Sequence, residues 1–178
     1  MKKIVLVYGV IAGIIVAGWL VAIVSLKSPE GLENGMFYGY ASMLLAFSLI
    51  FVAVKKYRDQ HQGGQISFGK AFKIGLLITL IASTIYVVSW QITYYNFIPD
   101  YMDKYTEKMI SEMKAENKSQ AVIDAETIKM KSFNEMYQNP LFNALLSYAE
   151  IVPVGLLISL ICALILKRKP GSGVAGTV

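Results

Sequence analysis

Four stretches of this 178-residue chain are long, apolar and almost free of charge, and that restricts its folds more than any other feature. Ile4–Leu26 runs 23 residues without a charged side chain, Met36–Val54 runs 19 and Ile74–Ile98 runs 25. Leu141–Leu166 runs 26 with a single charge, Glu150. About 20 helical residues at 1.5 Å each cross the roughly 30 Å hydrocarbon core of a bilayer, so each run is about long enough. An isolated strand leaves its backbone unsatisfied in lipid, so helices are expected. Residues of hydrophobic type make up 55% of the chain and charged ones 16%, where a soluble domain carries about 25% charged residues. A soluble domain of this length has no interior large enough to hide so much apolar surface.

The expected architecture is therefore an all-α integral membrane protein with transmembrane helices over 4–26, 36–54, 72–98 and 141–166. Lys2 and Lys3 before the first run also fit a secretory leader, but the run exceeds the usual 7–15-residue apolar region and no Ala-x-Ala site follows. A retained first helix is expected.

Lysine and arginine set the orientation. The N-terminus, the loop after the second run and the C-terminal end together hold ten basic residues and one acid, Asp59. The opposite side holds seven basic and ten acidic residues, most of them between Pro99 and Pro140. The positive-inside rule puts both ends in the cytoplasm, consistent with four crossings.

Residues 99–140 form the one substantial extramembrane piece. Tyr101, Met102, Tyr105, Met109 and Met113 recur at helical spacing after Pro99, with Asp100 and Asp103 suited to a helix start. Asn117-Lys118-Ser119 breaks the pattern, and a second stripe follows through Val122, Ala125, Ile128 or Lys129, Phe133 and Met136. This predicts an extracytoplasmic helical hairpin; the alternative is that the third membrane helix continues outward past Pro99. Residues 1–169 are read as one membrane domain, and the Gly- and Ser-rich 170–178 as a disordered tail.

Several short segments are familiar together. Gly39-Tyr40-Ala41-Ser42-Met43, Tyr57-Arg58-Asp59, the run Gly64-Gln65-Ile66-Ser67-Phe68-Gly69-Lys70-Ala71-Phe72, Tyr137-Gln138-Asn139-Pro140 and Glu150-Ile151-Val152-Pro153 occur in that order. The chain so resembles domain-of-unknown-function family 4199, small membrane proteins typical of Bacteroidetes. The resemblance covers roughly residues 1–169 and implies a four-helix inner-membrane protein; it implies no activity.

Glu150 is the sharpest site candidate, since an ionisable group in a membrane helix is costly and often marks a pathway or a pair. It shares a helical face with Asn143 and Ser147, and counting from the cytoplasmic lysines puts Trp90, Gln91 and Tyr86 at its level. One reading is a polar pocket opening outward; the plainer one is an aromatic belt with Glu150 bonded to Gln91 or a tyrosine. Tyr57, Arg58 and Asp59 make a second candidate, in a cytoplasmic loop that turns at Gly63-Gly64 and sets topology through its basic residues. Gly9, Gly13 and Ala17, and likewise Gly155, Ser159 and Ala163, recur every fourth position and mark close helix contacts.

One histidine and one cysteine, His61 and Cys162, leave no metal cluster, disulfide or cysteine–histidine pair, and no catalytic motif is present. No cofactor and no nucleic acid are expected. The expected partners are the lipid bilayer and either a protein partner or further copies of the chain. The sequence points to a non-enzymatic scaffold or accessory subunit acting through its extracytoplasmic segment, with a small transporter using Glu150 as the alternative.

Overall fold

The computed structural model describes residues 1–26 and 35–168. The segment with Lys27, Glu30 and Glu33, and the expected tail at 170–178, lie outside the described residues. Among the described residues six helices follow one another: α1 (Lys2–Leu26), α2 (Gly35–His61), α3 (Phe68–Phe97), α4 (Tyr101–Ala115), α5 (Gln120–Tyr137) and α6 (Pro140–Leu166). Four of them, α1, α2, α3 and α6, contain stretches long and apolar enough to cross a membrane. Among the described residues there is no strand beyond one isolated backbone bridge.

Two boundaries depart from expectation. The second helix runs to His61 rather than residue 54, and the third begins at Phe68 rather than 72. Reaching the edge of the apolar span does not end a helix; a helix breaker does. The chain from Lys55 to Gln62 contains none, and the break comes at Gly63 and Gly64, whose φ values of 58° and 80° suit glycine. Tyr57, Arg58 and Asp59 therefore lie on the last turns of α2 and not in a loop.

The described residues form two compact units, one within 1–87 and 148–168 and the other of residues 88–147. In the first, small residues let helices approach. A Cβ on Gly9 or Gly13 of α1 would meet Ile81 or Ile85 of α3 at 2.9 and 2.6 Å, and one on Gly75 of α3 would meet Ser159 of α6 at 2.6 Å. Gly155 of α6 lies against Thr79 and Phe47 in the same way. Without a hydrophobic drive between helices in lipid, such close packing is what holds a bundle together. Buried polar groups are few and local: Thr79 and Ser159 lie 3.3 Å apart through their hydroxyls, and Ser159 Oγ also donates to the Gly155 carbonyl at 2.7 Å. At one end, Ile66 and Arg168 exchange backbone hydrogen bonds of 3.3 and 2.9 Å, fastening the α2–α3 turn to the close of α6.

In the second unit α3 stops at Phe97, before Pro99, so it does not run on into α4. Asp100 and Ser119 occupy the N-cap positions of α4 and α5, and Asn117 takes a positive φ of 56° in the turn between them. α4 and α5 pack together, burying Met102 and Ile123, and Asn134 donates to Asp103 at 2.5 Å. The inward face of α5 is only partly the one expected: of the expected stripe, Phe133 turns inward. Val122, Ile128 and Met136 are exposed, Ile128 to 70%, while Ile123 is buried and Met130, Phe133 and Tyr137 are partly covered. Both sets recur at helical spacing. The aromatic partners of Phe133 and Tyr137 select the second: Tyr137 packs on Tyr94 and Phe133 on Phe142.

Candidate functional site

α6 presents a continuous buried stripe, Asn143, Ser147, Ile151, Gly155, Ser159 and Ala163, at the four-residue repeat of a helix. Glu150 lies one residue off that stripe and is exposed, so the shared face of Asn143, Ser147 and Glu150 expected from spacing is only partly realised. The difference is one of rotation: a helix turns about 100° per residue, and the close contact at Gly155 sets which side of α6 points inward.

In the first unit the Glu150 side chain hydrogen-bonds to Tyr86, itself only 9% exposed. Nearby on the same helices the Tyr148 hydroxyl donates to Thr84 Oγ1 at 3.0 Å, and Thr84 donates to the Leu80 carbonyl at 2.8 Å. Pro153 sits inside α6 and withholds the N–H that would otherwise bond the Ala149 carbonyl.

In the second unit the other candidates form a network of their own. Gln91 Nε2 donates to the Pro140 carbonyl at 2.9 Å and to Asn143 Oδ1 at 3.2 Å. Asn143 is fully buried; its amide reaches the Tyr137 carbonyl at 3.5 Å, and its own carbonyl accepts from Ser147 Oγ at 2.9 Å. Trp90 Nε1 donates to the Tyr137 hydroxyl at 2.9 Å, and the Tyr95 hydroxyl donates to the Gln138 carbonyl at 3.0 Å. Rings fill the space between: Trp90 meets Tyr101 edge-on at 5.3 Å, and Tyr94 meets Tyr95 and Tyr137 at 4.9 and 5.3 Å. The Tyr94 hydroxyl is buried without a hydrogen-bond partner. The structure thus joins Tyr86 to Glu150 in one unit, and Gln91 to Asn143 and Trp90 to Tyr137 in the other.

From sequence, Tyr94 and Tyr95 carry no site role, and Tyr137 and Asn139 enter only within the family-like string Tyr137–Pro140. Asn139 caps α6: its Oδ1 accepts from the N–H groups of Leu141 and Phe142 at 2.9 and 3.3 Å, and Pro140 takes the first helical position. The Tyr-Gln-Asn-Pro string held the signal, since an Asn followed by Pro reads as a helix start.

At the α2 end, Arg58 pairs with Asp59 at 2.7 Å and Tyr57 stacks on His61 at 5.4 Å, an i,i+4 pair on one helix. Among the described residues no group of three or more His, Cys, Asp or Glu side chains is placed to hold a metal ion.

Fold and contacts together define a class, the small multi-pass helical membrane protein with two further helices between its third and fourth spans. Within that class the chain belongs to the family described as Protein of unknown function (DUF4199), whose model matches residues 7–168. No curated protein and no solved structure matches the chain.

Proposed function

We propose that this chain is a non-enzymatic scaffold or accessory subunit of the bacterial inner (cytoplasmic) membrane, crossing it four times with both ends in the cytoplasm. Its extracytoplasmic hairpin, residues 99–140, contacts a protein partner. The bias of basic residues toward the ends and the α2–α3 connection supports the orientation. The observation that carries the partner contact is Tyr105, 48% exposed on α4 among the exposed charges Lys104, Lys108 and Glu112. An aromatic side chain within a charged rim is the usual composition of a protein contact site.

Co-purification in mild detergent tests this reading. Deleting residues 104–135 removes the partner, and Tyr105→Ala weakens its recovery; an unchanged partner set in the deletion sinks the proposal. Labelling of Lys131→Cys by a membrane-impermeant thiol reagent from outside the cell tests the orientation.

A second reading follows from Glu150, the one acid within the apolar run of α6, exposed and bonded to Tyr86. Such a group suits proton or cation passage by a small transporter. Glu150→Gln then abolishes proton- or cation-dependent flux in liposomes; full flux in that variant excludes it.

A further inference from the structure

Where α5 gives way to α6, an open groove of about 490 Å³ runs along the second unit. Its walls differ in kind. One is made by Leu141, Phe142 and Leu145 at the start of α6. Leu141 and Leu145 are 70% and 59% exposed on a helix long and apolar enough to span a bilayer, so in the membrane they meet acyl chains. The other wall carries Ser132, Glu135 and Asn139. Among the described residues Glu135 makes no ion pair, whereas Glu112 of α4 and Glu126 of α5 do. Asn139 uses its carbonyl oxygen on the cap of α6, which leaves its amide N–H groups as donors in the groove that Ser132 also lines.

These groups are the complement of one molecule type: an acyl chain, a phosphate that accepts hydrogen bonds and an ammonium that donates them. We propose that the groove seats a phosphatidylethanolamine. Its phosphate accepts from Ser132 and Asn139, its ammonium donates to the Glu135 carboxylate, and one chain lies along Leu141, Phe142 and Leu145. The choice among lipids follows from charge. A phosphatidylglycerol brings a net negative charge to Glu135 and no cation to offset it, and the quaternary ammonium of phosphatidylcholine has no N–H to donate. Met136, an exposed apolar side chain of α5, also lines the groove. The inference rests on α6 crossing the bilayer and is independent of the partner bound at Tyr105.

Native mass spectrometry of the full chain in mild detergent, titrated separately with phosphatidylethanolamine, phosphatidylcholine and phosphatidylglycerol of identical acyl chains, tests it. The first lipid bound is expected to favour phosphatidylethanolamine about fivefold, the ratio that corresponds to roughly 1 kcal/mol. Glu135→Gln, a change at an exposed position, erases the preference while the melting temperature and partner recovery stay unchanged. Leu145→Ser weakens all three lipids alike. Equal binding of the three lipids by the native chain, a preference for phosphatidylglycerol, or a preference that survives Glu135→Gln each overturns the proposal. Partner recovery by Tyr105→Ala, which leaves every groove residue in place, is a separate readout, so either reading can fail alone.

Discussion

Trp90 on α3 and Tyr137 at the end of α5, 47 residues apart in sequence, are joined by a 2.9 Å hydrogen bond from the indole N–H to the phenol oxygen. The bond ties one of the two extra helices to the end of a membrane helix, with Tyr94 packed edge-on against Tyr137.

Replacing Trp90 by Phe keeps much of the ring packing and removes the donor. The loss is expected at about 1 kcal/mol, the net worth of a single hydrogen bond. Tyr137→Phe is expected to cost a similar amount, and the double variant less than the sum, because both remove one interaction. Unfolding in detergent followed by near-UV circular dichroism measures all three; strict additivity excludes the coupling.

The glycines divide by what surrounds them. Gly155 faces Thr79 and Phe47 at a separation that a methyl group cannot share, whereas a Cβ on Gly18 or Gly39 would meet nothing within 4 Å. Gly155→Ala is therefore expected to destabilise by roughly 1–3 kcal/mol through overpacking. Gly18→Ala and Gly39→Ala are neutral or slightly stabilising, since alanine favours the helix. Thermal aggregation assays on the purified variants check the contrast.

Asn139 holds two N–H groups at the start of α6. Asn139→Ala is expected to cost about 1 kcal/mol, and Asn139→Ser or Asn139→Asp to recover most of it. Hydrogen exchange confined to the first turn of α6 reports the change; protection unaltered in Asn139→Ala contradicts the assignment.

At the start of α4, Lys104 lies 2.6 Å from Asp100 and its hydrogen bond holds the Asp100 carboxyl below the usual aspartate range. A carboxyl depressed in the folded state stabilises above its unfolded value, near pH 3.9, and loses that contribution as pH falls through the folded value. Both side chains are well exposed, so the effect is small and screened by salt. Carbon-detected titration of the Asp100 carboxyl checks it directly: the midpoint lies below that of an ordinary aspartate and rises in Lys104→Met.

Much of the helix layout is legible in the sequence because the bilayer requires it. Length and absence of charge mark Ile4–Leu26 and Leu141–Leu166, and the small-residue repeats at Gly9 and Gly155 mark surfaces that meet other helices. What is not legible depends on rotation about a helix axis. Residue counts bring Tyr86, Trp90 and Gln91 to the level of Glu150, but which of them bonds to it depends on how α3 and α6 are turned, and that side chain is Tyr86. The same ambiguity hides the inward face of α5, where Val122–Ile128–Met136 and Ile123–Met130–Tyr137 fit one period equally well. Nor does a hydropathy pattern reveal that α2 continues to His61, because helix ends follow Gly63 and Gly64 rather than lipid thickness.

The backbone exchange between Ile66 and Arg168 has a consequence for biogenesis. Ile66 leaves the ribosome after α1 and α2, and its partner is not synthesised until α6 is complete. During most of translation the amide and carbonyl of Ile66 must rely on water, so the nascent α2–α3 turn is an open end. Arrival of Arg168 closes that end, so the clasp forms only after α6 and is no early scaffold for the insertion of α2 and α3.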